Sequence, residues 1–337
     1  MSTLSAVPSA STRLSPEQLL KIYDLMLRAR VLEERLISMY KQGEGYFWIG
    51  GPGEEAFNVP LGLLANKGQG LDHDYLHLHY RSSGTLLAMG ADPIDSLRQM
   101  RNLATDPYSK GRNFAGHYSV RAWNIVPVSS PIEVQFSMAI GTAKAQKHAK
   151  GVTIVQGGDA GTAEGDFATA LVWSSRKGAE LPLLMIVTNN RWGISTAYAG
   201  QHGYDQISDR GKAFNMPTAV VDGNDAEASY AAIQKALDYV RRERKPYLLE
   251  AMVSRLRGHS SASGANIVKG EVDCLDKLEQ TLESRKLMTR AKIDELRAQY
   301  NQELLDASKR IANEPPPEPR DIYDNVFSDK NLVGGES

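Results

Sequence analysis

The spacing of apolar residues predicts a long helix near the start of the chain. Ser15-Pro16-Glu17-Gln18 has the sequence of a capping box with proline at the first helical position. The apolar positions that follow recur at the helical period up to about Gly43, and they are Leu19, Ile22, Tyr23, Met26, Leu27 and Leu36. A second helical stretch is predicted from Pro131 to Lys150, before the glycine at position 151.

Short apolar runs rich in branched residues predict the strands of a sheet. They alternate with stretches of helical period at about 166–177 and 226–243. This alternation is typical of the α/β class, with a doubly wound, mainly parallel sheet covered by helices on both faces. From about residue 274 the chain is charged and helical up to a proline-rich stretch at Glu314. The strand-like runs are Val152–Val155, Leu183–Val187, Ala219–Val221 and Tyr247–Val253.

These patterns predict one domain with extensions at both ends. We expect a disordered N-terminal segment at residues 1–14, which are small and polar. An α/β domain with terminal helices is predicted at residues 15–313, followed by a C-terminal tail at residues 314–337.

Composition and charge narrow the class of protein. The 39 Lys and Arg residues against 40 Asp and Glu residues leave a net charge of −1, which argues against a general nucleic-acid binder. The single cysteine, Cys274, excludes internal disulfides. No secretory signal pattern and no apolar run long enough to span a bilayer is present. We therefore expect a cytoplasmic protein that is an enzyme or part of one.

Candidate chemistry concentrates at the carboxyl ends of two predicted strands. Glycines crowd the turn after Val152–Val155, and the next strand ends at Asn189-Asn190. Because parallel strands end at a shared edge, where such sheets bind ligands, the Asp159 carboxylate and an asparagine amide should face one point. Oxygen donors of this kind suit Mg²⁺, and glycines let backbone N–H groups approach a diphosphate closely.

Other interpretations of these residues stay open at this point. Glycine turns and an Asn-Asn pair also occur as ordinary turns without a ligand. A nicotinamide-binding enzyme fits less well, because Ala160 and Ala163 interrupt the glycine pattern of a dinucleotide-binding turn. His73, His77 and His79 could suggest a metal site, but surface or interface histidines are the better interpretation, since cysteines and a carboxylate pattern are missing there.

Six motifs that recur in order resemble a known enzyme family. Gly158-Asp159-Ala160, followed after twenty-eight residues by Asn189-Asn190, resembles the thiamine-diphosphate motif that opens with Gly-Asp-Gly and closes with Asn-Asn. From about residue 15 to the DNVFSDK tail at 324–330, the chain resembles the alpha subunit of the decarboxylating dehydrogenase component of 2-oxo acid dehydrogenase complexes, of the branched-chain, pyruvate or acetoin type. The motifs are HYRSSG (79–84), GRNFAGHYS (111–119), SSPIEVQ (129–135), GDAGTAEGDF (158–167), NNRWGIST (189–196) and RGHSS (257–261).

The resemblance implies the diphosphate-binding half of a thiamine-diphosphate-binding fold, with thiamine diphosphate held through Mg²⁺. Its implied metal ligands are Asp159, Asn190 and the backbone carbonyl of Trp192. His259 is implied to be catalytic as well, in transfer of the acyl group to lipoamide. The positions implied to contact the cofactor are Tyr80, Arg81, Ser130, Ile132, Gly158, Ala160, Gly161, Asn190, Ile194 and His259.

The implied activity is the oxidative decarboxylation of a 2-oxo acid with transfer of the acyl group to lipoamide. In two-chain members the glutamate that activates the cofactor lies on the beta subunit, so the chain should be inactive alone and form an alpha-two beta-two heterotetramer. A lipoyl-bearing acyltransferase component is the other implied partner. The SSPIEVQ and GEE stretches favour a branched-chain acid. A pyruvate or acetoin dehydrogenase alpha subunit and a non-catalytic scaffold paralogue stay as alternatives.

Several positions depart from the family pattern. Ala160 adds a methyl group where the backbone approaches the cofactor, and Thr188 stands where branched-chain members carry an arginine that reaches the phosphate. Val134 replaces a threonine that helps bind potassium in some members. The loop after His259 lacks the usual acidic pair and Tyr-Arg, and it looks shortened. Cofactor ordering or lipoyl-domain docking at this loop is therefore expected to differ.

Overall fold

In the computed structural model, which describes residues 13–324, a parallel sheet separates two layers of helices. The described strands are β1 (Tyr75–His77), β2 (Thr153–Gly158), β3 (Leu183–Asn189), β4 (Trp192–Gly193), β5 (Thr196–Ala197), β6 (Thr218–Asp222) and β7 (Tyr247–Met252). The main sheet has the order β1-β2-β3-β7-β6 and all its pairs are parallel, whereas β4 and β5 form a separate antiparallel hairpin.

Helices pack on both faces of the sheet. The described α-helices are α1 (Pro16–Lys41), α2 (Glu55–Leu64), α3 (Ser83–Ala88), α4 (Pro93–Met100), α5 (Val134–Ala145), α6 (Gly165–Ser174), α7 (Asp209–Lys212), α8 (Ala226–Glu243), α9 (Cys274–Ser284) and α10 (Arg290–Arg310). Helices α2 and α8 share one buried cluster with Ile154 and Ile186, and α5 and α6 share another with Val155 and Val187. Neighbouring residues of one strand thus face opposite layers, which confirms the predicted doubly wound, mainly parallel α/β class.

The helices at the two ends of the domain pack against each other, with α1 contacting α9 and α10. Ser15 begins α1 with the predicted capping box, because its hydroxyl oxygen accepts the Gln18 N–H at 3.2 Å while the Gln18 side chain accepts the Ser15 N–H at 3.0 Å. The apolar face of α1 is buried together with residues of α9 and α10. Tyr23 donates from its hydroxyl to Glu279 across this interface at 3.0 Å.

Helix α5 is shorter than the pattern predicted. It runs from Val134 to Ala145 instead of from Pro131 to Lys150. Glu133 has a left-handed backbone with φ of 62°, so the residues before it leave the helical path. The Glu133 side chain makes no hydrogen bond to the first turn of α5 and is directed at Gly158 instead.

Strand β1 is an element that the sequence pattern did not predict. It has only three residues, too few for a period to be recognised, and it is recognised here by its parallel pairing with β2. Residues 1–12 and 325–337, which hold most of the predicted N-terminal segment and of the 324–330 motif, lie outside the described residues. None of the described helices has the length and apolar character needed to cross a membrane.

Candidate functional site

Four neighbouring strands end at one cavity of about 300 Å³. His79, Tyr80 and Arg81 follow β1, Asp159 follows β2, Asn190 follows β3, and His259 lies beyond β7. Parallel strands place these ends on the same edge of the sheet, and the register pairs Gly158 with Thr188 at the centre of that edge. The sequence predicted that polar groups from the ends of two strands would meet, and the structure brings together groups that follow four strands.

Most of the predicted site residues line this cavity. They are Tyr80, Arg81, Ile132, Gly158, Asp159, Ala160, Gly161, Asn190, Trp192, Ile194 and His259. Ser130 is outside the lining, and its hydroxyl lies 2.7 Å from Nε2 of His117, so its predicted cofactor contact stays a prediction. The lining residues absent from that prediction are His79, Glu133, Glu164, Thr188, Gly193, Thr196 and Gln201.

Asp159 carries an unpaired oxygen in the cavity. Its side chain is buried, and Oδ2 has no hydrogen-bond partner among residues 13–324. Burial raises the pKa of this carboxyl group, while His202 and Arg255 oppose the shift. An unpaired carboxylate oxygen is costly to bury, so the position is suited to a cation.

The oxygen donors beside Asp159 are those that Mg²⁺ prefers. The Asn190 side chain adds an amide oxygen, which also accepts the backbone N–H of Trp192 at 3.1 Å. In the described part of the chain, no group of three or more His, Cys, Asp or Glu side chains could hold a metal ion. A cation at Asp159 therefore needs amide, backbone, water or phosphate oxygens to complete its shell, and these fit Mg²⁺.

Arg81 connects three segments of the site. Its guanidinium donates to the carbonyl oxygen of Gly50, and Nη2 donates to the carbonyl oxygen of His259 at 3.0 Å. Nε lies 3.8 Å from the buried carboxylate of Glu54. The side chain is almost fully buried, so its charge acts on the cavity with little screening by water.

A buried network of side-chain hydrogen bonds fixes the position of the Tyr80-Arg81 turn. The Asn58 side chain donates to the Arg81 carbonyl at 3.1 Å and accepts from Gln156 at 2.9 Å. Gln156 in turn accepts from the Ser82 hydroxyl at 2.9 Å. Because each of these polar groups has a partner inside the core, the turn is rigidly positioned before any ligand binds.

His259 is neutral at physiological pH. Burial and then the positive charges of Arg81 and Arg255 lower the pKa of His259 to about 4. Its Nδ1 lies 3.3 Å from Nη2 of Arg81, which has only donors, so Nδ1 accepts and the ring proton is assigned to Nε2. The residue can therefore donate a hydrogen bond from Nε2 without carrying a charge.

The loop after His259 is ordered by its own contacts. The Ser261 N–H donates to the carbonyl oxygen of Trp48 at 2.8 Å, and the Trp48 N–H donates to the Ser261 hydroxyl at 3.1 Å. The Ser260 hydroxyl accepts the Ala262 N–H and is buried. Serine hydroxyls and backbone groups thus supply contacts of this loop, and residues 260–270 contain no acidic side chain.

Glu133 is a site residue that the sequence reasoning missed. Its carboxylate is 2% exposed and accepts the Gly158 N–H at 3.1 Å. A methyl group on Gly157 or Gly161 would overlap this carboxylate, so these two glycines make room for an acidic side chain. The Gly158 N–H donates to Glu133 in this structure, and the contact of Gly158 with the cofactor stays a prediction. Only the left-handed backbone of Glu133 could have indicated this position, and that is invisible in the sequence.

Glu133→Gln is expected to stabilise the chain at pH 8 and to change its stability little at pH 4 and below. Burial and then the charge of Asp159 raise the pKa of Glu133 to about 8, against about 4.3 in an unfolded chain. Between these values the unfolded state releases a proton that the folded state keeps, so the wild-type stability falls as pH rises. Glutamine removes this loss, which is on the order of 2–4 kcal/mol at pH 8.

The measurement is thermal unfolding of the chain free of metal and cofactor from pH 4 to 8. Glu295→Gln removes an exposed carboxylate on α10 that does not act on Glu133, and it should leave the pH dependence as in the wild type. An equal effect of Glu133→Gln at pH 4 and pH 8 would contradict an uncharged Glu133.

The methyl group of Ala160 is accommodated by a glycine in the hairpin. A Cβ at Gly193 would lie 2.6 Å from the Ala160 Cβ, so the methyl group occupies space that Gly193 leaves empty. The departure from the Gly-Asp-Gly pattern is therefore compensated within this chain.

The chain matches known proteins over nearly its whole length. Residues 23–320 match the family model described as "Dehydrogenase E1 component". The chain is 30% identical over 307 residues to the 2-oxoisovalerate dehydrogenase subunit alpha of Bacillus subtilis, covering 89% of this chain and 90% of that protein. It is 29% identical to the mitochondrial subunit alpha 2 of Arabidopsis thaliana, covering 95% and 68%. The human mitochondrial subunit alpha is 27% identical, with 96% and 73% covered.

Proposed function

Because this chain belongs to the dehydrogenase E1 component family, we propose that it is the alpha subunit of a thiamine-diphosphate-dependent 2-oxo acid dehydrogenase. The observation that carries the proposal is the unpaired Asp159 oxygen in a cavity shared with Asn190 and Arg81. The relatives named for 2-oxoisovalerate favour a branched-chain 2-oxo acid as the substrate. The SSPIEVQ and GEE stretches of the sequence favour the same class of substrate.

The cavity has groups suited to both ends of thiamine diphosphate. Asp159, Asn190 and the Trp192 carbonyl would hold Mg²⁺, while Arg81 would face the diphosphate because a guanidinium matches phosphate oxygens. Ile132 and Ile194 are 50% and 62% exposed, and they would cover the apolar part of the cofactor. When bound, thiamine diphosphate supplies a nucleophilic carbon for the 2-oxo group and an electron sink for decarboxylation.

His259 would serve as the proton-bearing group of this chain. It keeps a proton on Nε2 because Arg81 occupies the side of Nδ1. From that position it would donate a hydrogen bond to an oxygen of the substrate or of the acyl group during transfer to lipoamide. Its neutrality would avoid adding a third cation beside Arg81 and Arg255.

A beta subunit would complete the site. Ile132, Trp192 and Ile194 expose apolar surface around the cavity, which a second subunit would bury. The same subunit would supply the acid that activates the cofactor in two-chain members. The acyl group would then pass to a lipoyl-bearing acyltransferase component.

The test is affinity purification of the tagged full chain from its own cells, followed by turnover assays on the purified complex. We expect a second subunit, bound thiamine diphosphate and magnesium, and faster turnover of 2-oxoisovalerate than of pyruvate. Faster turnover of pyruvate or of acetoin would identify the chain as the alpha subunit of a pyruvate or an acetoin dehydrogenase instead. A complex with both subunits and cofactor but no turnover of any acid would identify a scaffold paralogue.

A further inference from the structure

Arg255 lies beside the cavity, outside its lining, and contacts two of the residues that line it, Trp192 and Ile194. It follows β7 by three residues, and its Nη1 donates to the carbonyl oxygen of Ile194 at 3.0 Å. The guanidinium lies 5.8 Å from the centre of the Trp192 ring. Its Nε is buried and has no hydrogen-bond partner among residues 13–324.

The charge of Arg255 has no ion-pair partner in the described part of the chain. Every salt bridge described between residues 13 and 324 involves other residues. The loop that follows carries no acidic side chain at residues 260–270. A half-buried guanidinium without a counterion is unfavourable, so an anion is expected to be its partner when the site is filled.

Arg81 and Arg255 face the same region. Burial and the charge of Arg81 lower the pKa of Arg255, while Asp159 and Glu271 oppose this shift. Two guanidinium groups that repel each other beside one cavity are stabilised by an anion between them. Asp159 cannot be that anion if its free oxygen binds Mg²⁺.

We propose that Arg255 is a second diphosphate-binding cation in this chain, acting with Arg81. This rests on the proposed function. A second cation would be needed because Thr188, which stands where branched-chain members carry an arginine that reaches the phosphate, has no charge. Its hydroxyl is buried and lies 3.4 Å from the Gly157 carbonyl oxygen. Arg255 follows β7, the strand that pairs with β3 and Thr188, and it lies against Trp192 and Ile194 on the proposed metal-binding side of the cavity.

The experiment compares Arg255→Gln, Arg255→Lys and Arg257→Gln in the assembled alpha and beta complex. Calorimetric titration with Mg²⁺ present measures the affinity for two probes, thiamine diphosphate and inorganic pyrophosphate. Arg255→Gln should weaken both by about 10- to 100-fold, because a charge-assisted hydrogen bond is lost in each case. Arg255→Lys should retain part of the affinity, since it keeps the charge but not the planar fork.

Arg257→Gln is the matched control. Arg257 lies two residues further along the same segment, where its backbone bridges to Ile267, whereas Arg255 contacts Trp192 and Ile194 of the cavity lining, so both affinities of Arg257→Gln should match the wild type. The Lys variant keeps the test decisive if the Gln variant fails to assemble, because a charge-dependent contact predicts intermediate binding.

Two results would overturn the assignment of Arg255. Wild-type affinity of Arg255→Gln for both probes would remove any contact with the diphosphate. Loss of affinity for thiamine diphosphate alone would mean that Arg255 acts through the hairpin at Trp192 and Ile194.

A wild-type complex that binds pyrophosphate but not thiamine diphosphate would refute the proposed function and leave the two-arginine anion site supported. Binding of neither probe would refute both.

Discussion

Asp159→Ala is expected to abolish Mg²⁺-dependent binding of thiamine diphosphate, lowering the affinity by more than about 100-fold. Asp159 is the acidic ligand of the proposed site, and its Oδ2 is the buried oxygen without a partner among the described residues. The oxygens that would remain, from Asn190 and the backbone, are neutral and bind a divalent cation weakly. Removing the carboxylate therefore removes the charge on which the cation depends.

Calorimetric titration of the assembled complex with thiamine diphosphate, with and without Mg²⁺, measures this loss. Asp159→Asn keeps the shape of the side chain and should lose most of the affinity as well, because charge is the quantity removed. Asp238→Ala, an exposed position on α8, is the control and should bind like the wild type. Retained affinity in Asp159→Ala would refute the metal assignment.

Omitting the beta subunit is expected to lower turnover of the 2-oxo acid by about 10²- to 10⁴-fold, the usual contribution of a positioned acid or base. The cavity in this chain holds the groups that are proposed to bind the diphosphate and its metal, and its apolar rim at Ile132 and Ile194 is exposed to solvent. The acid that activates the cofactor is proposed to come from the partner. The alpha chain alone should therefore bind cofactor weakly and release almost no CO₂.

Release of CO₂ from a carboxyl-labelled branched-chain 2-oxo acid, with an artificial electron acceptor, measures this dependence. Adding purified beta subunit to the alpha chain should restore turnover up to an equal molar ratio and no further. Beta subunit added to Asp159→Ala alpha chain is the control and should stay inactive. Full turnover by the alpha chain alone would show that the acid lies within this chain.

The main elements of the fold were predictable because their causes are local. The capping box at Ser15 uses residues three apart, and the helix at 226–243 follows from its helical period. Strand β3 is buried on both faces, and its first five residues, Leu183–Val187, are continuously apolar. The position of Asp159 beside Asn190 follows once strands β2 and β3 are neighbours.

A strand of only three residues and a single unusual backbone torsion could not be predicted from the sequence. Strand β1 is too short to show a period, although it places Tyr80 and Arg81 at the site. Glu133 leaves the helical region through a left-handed φ, which shortened α5 from the predicted start at Pro131. Local propensity does not select that conformation for glutamate; packing against the glycine turn does.

The α/β class, the order of the strands along the chain and the family motifs could be read from the amino-acid sequence, because they depend on period, composition and spacing. Three features came only from the tertiary structure: the Glu133 carboxylate fills the space above Gly157 and Gly161, Gly193 accommodates the Ala160 methyl group, and the charges of Arg255 and Arg81 act on each other beside the cavity. Each of these contacts joins residues that lie far apart in the chain. Such pairs meet only when the strand order is set, and their energies depend on distance and burial, which a linear sequence does not contain.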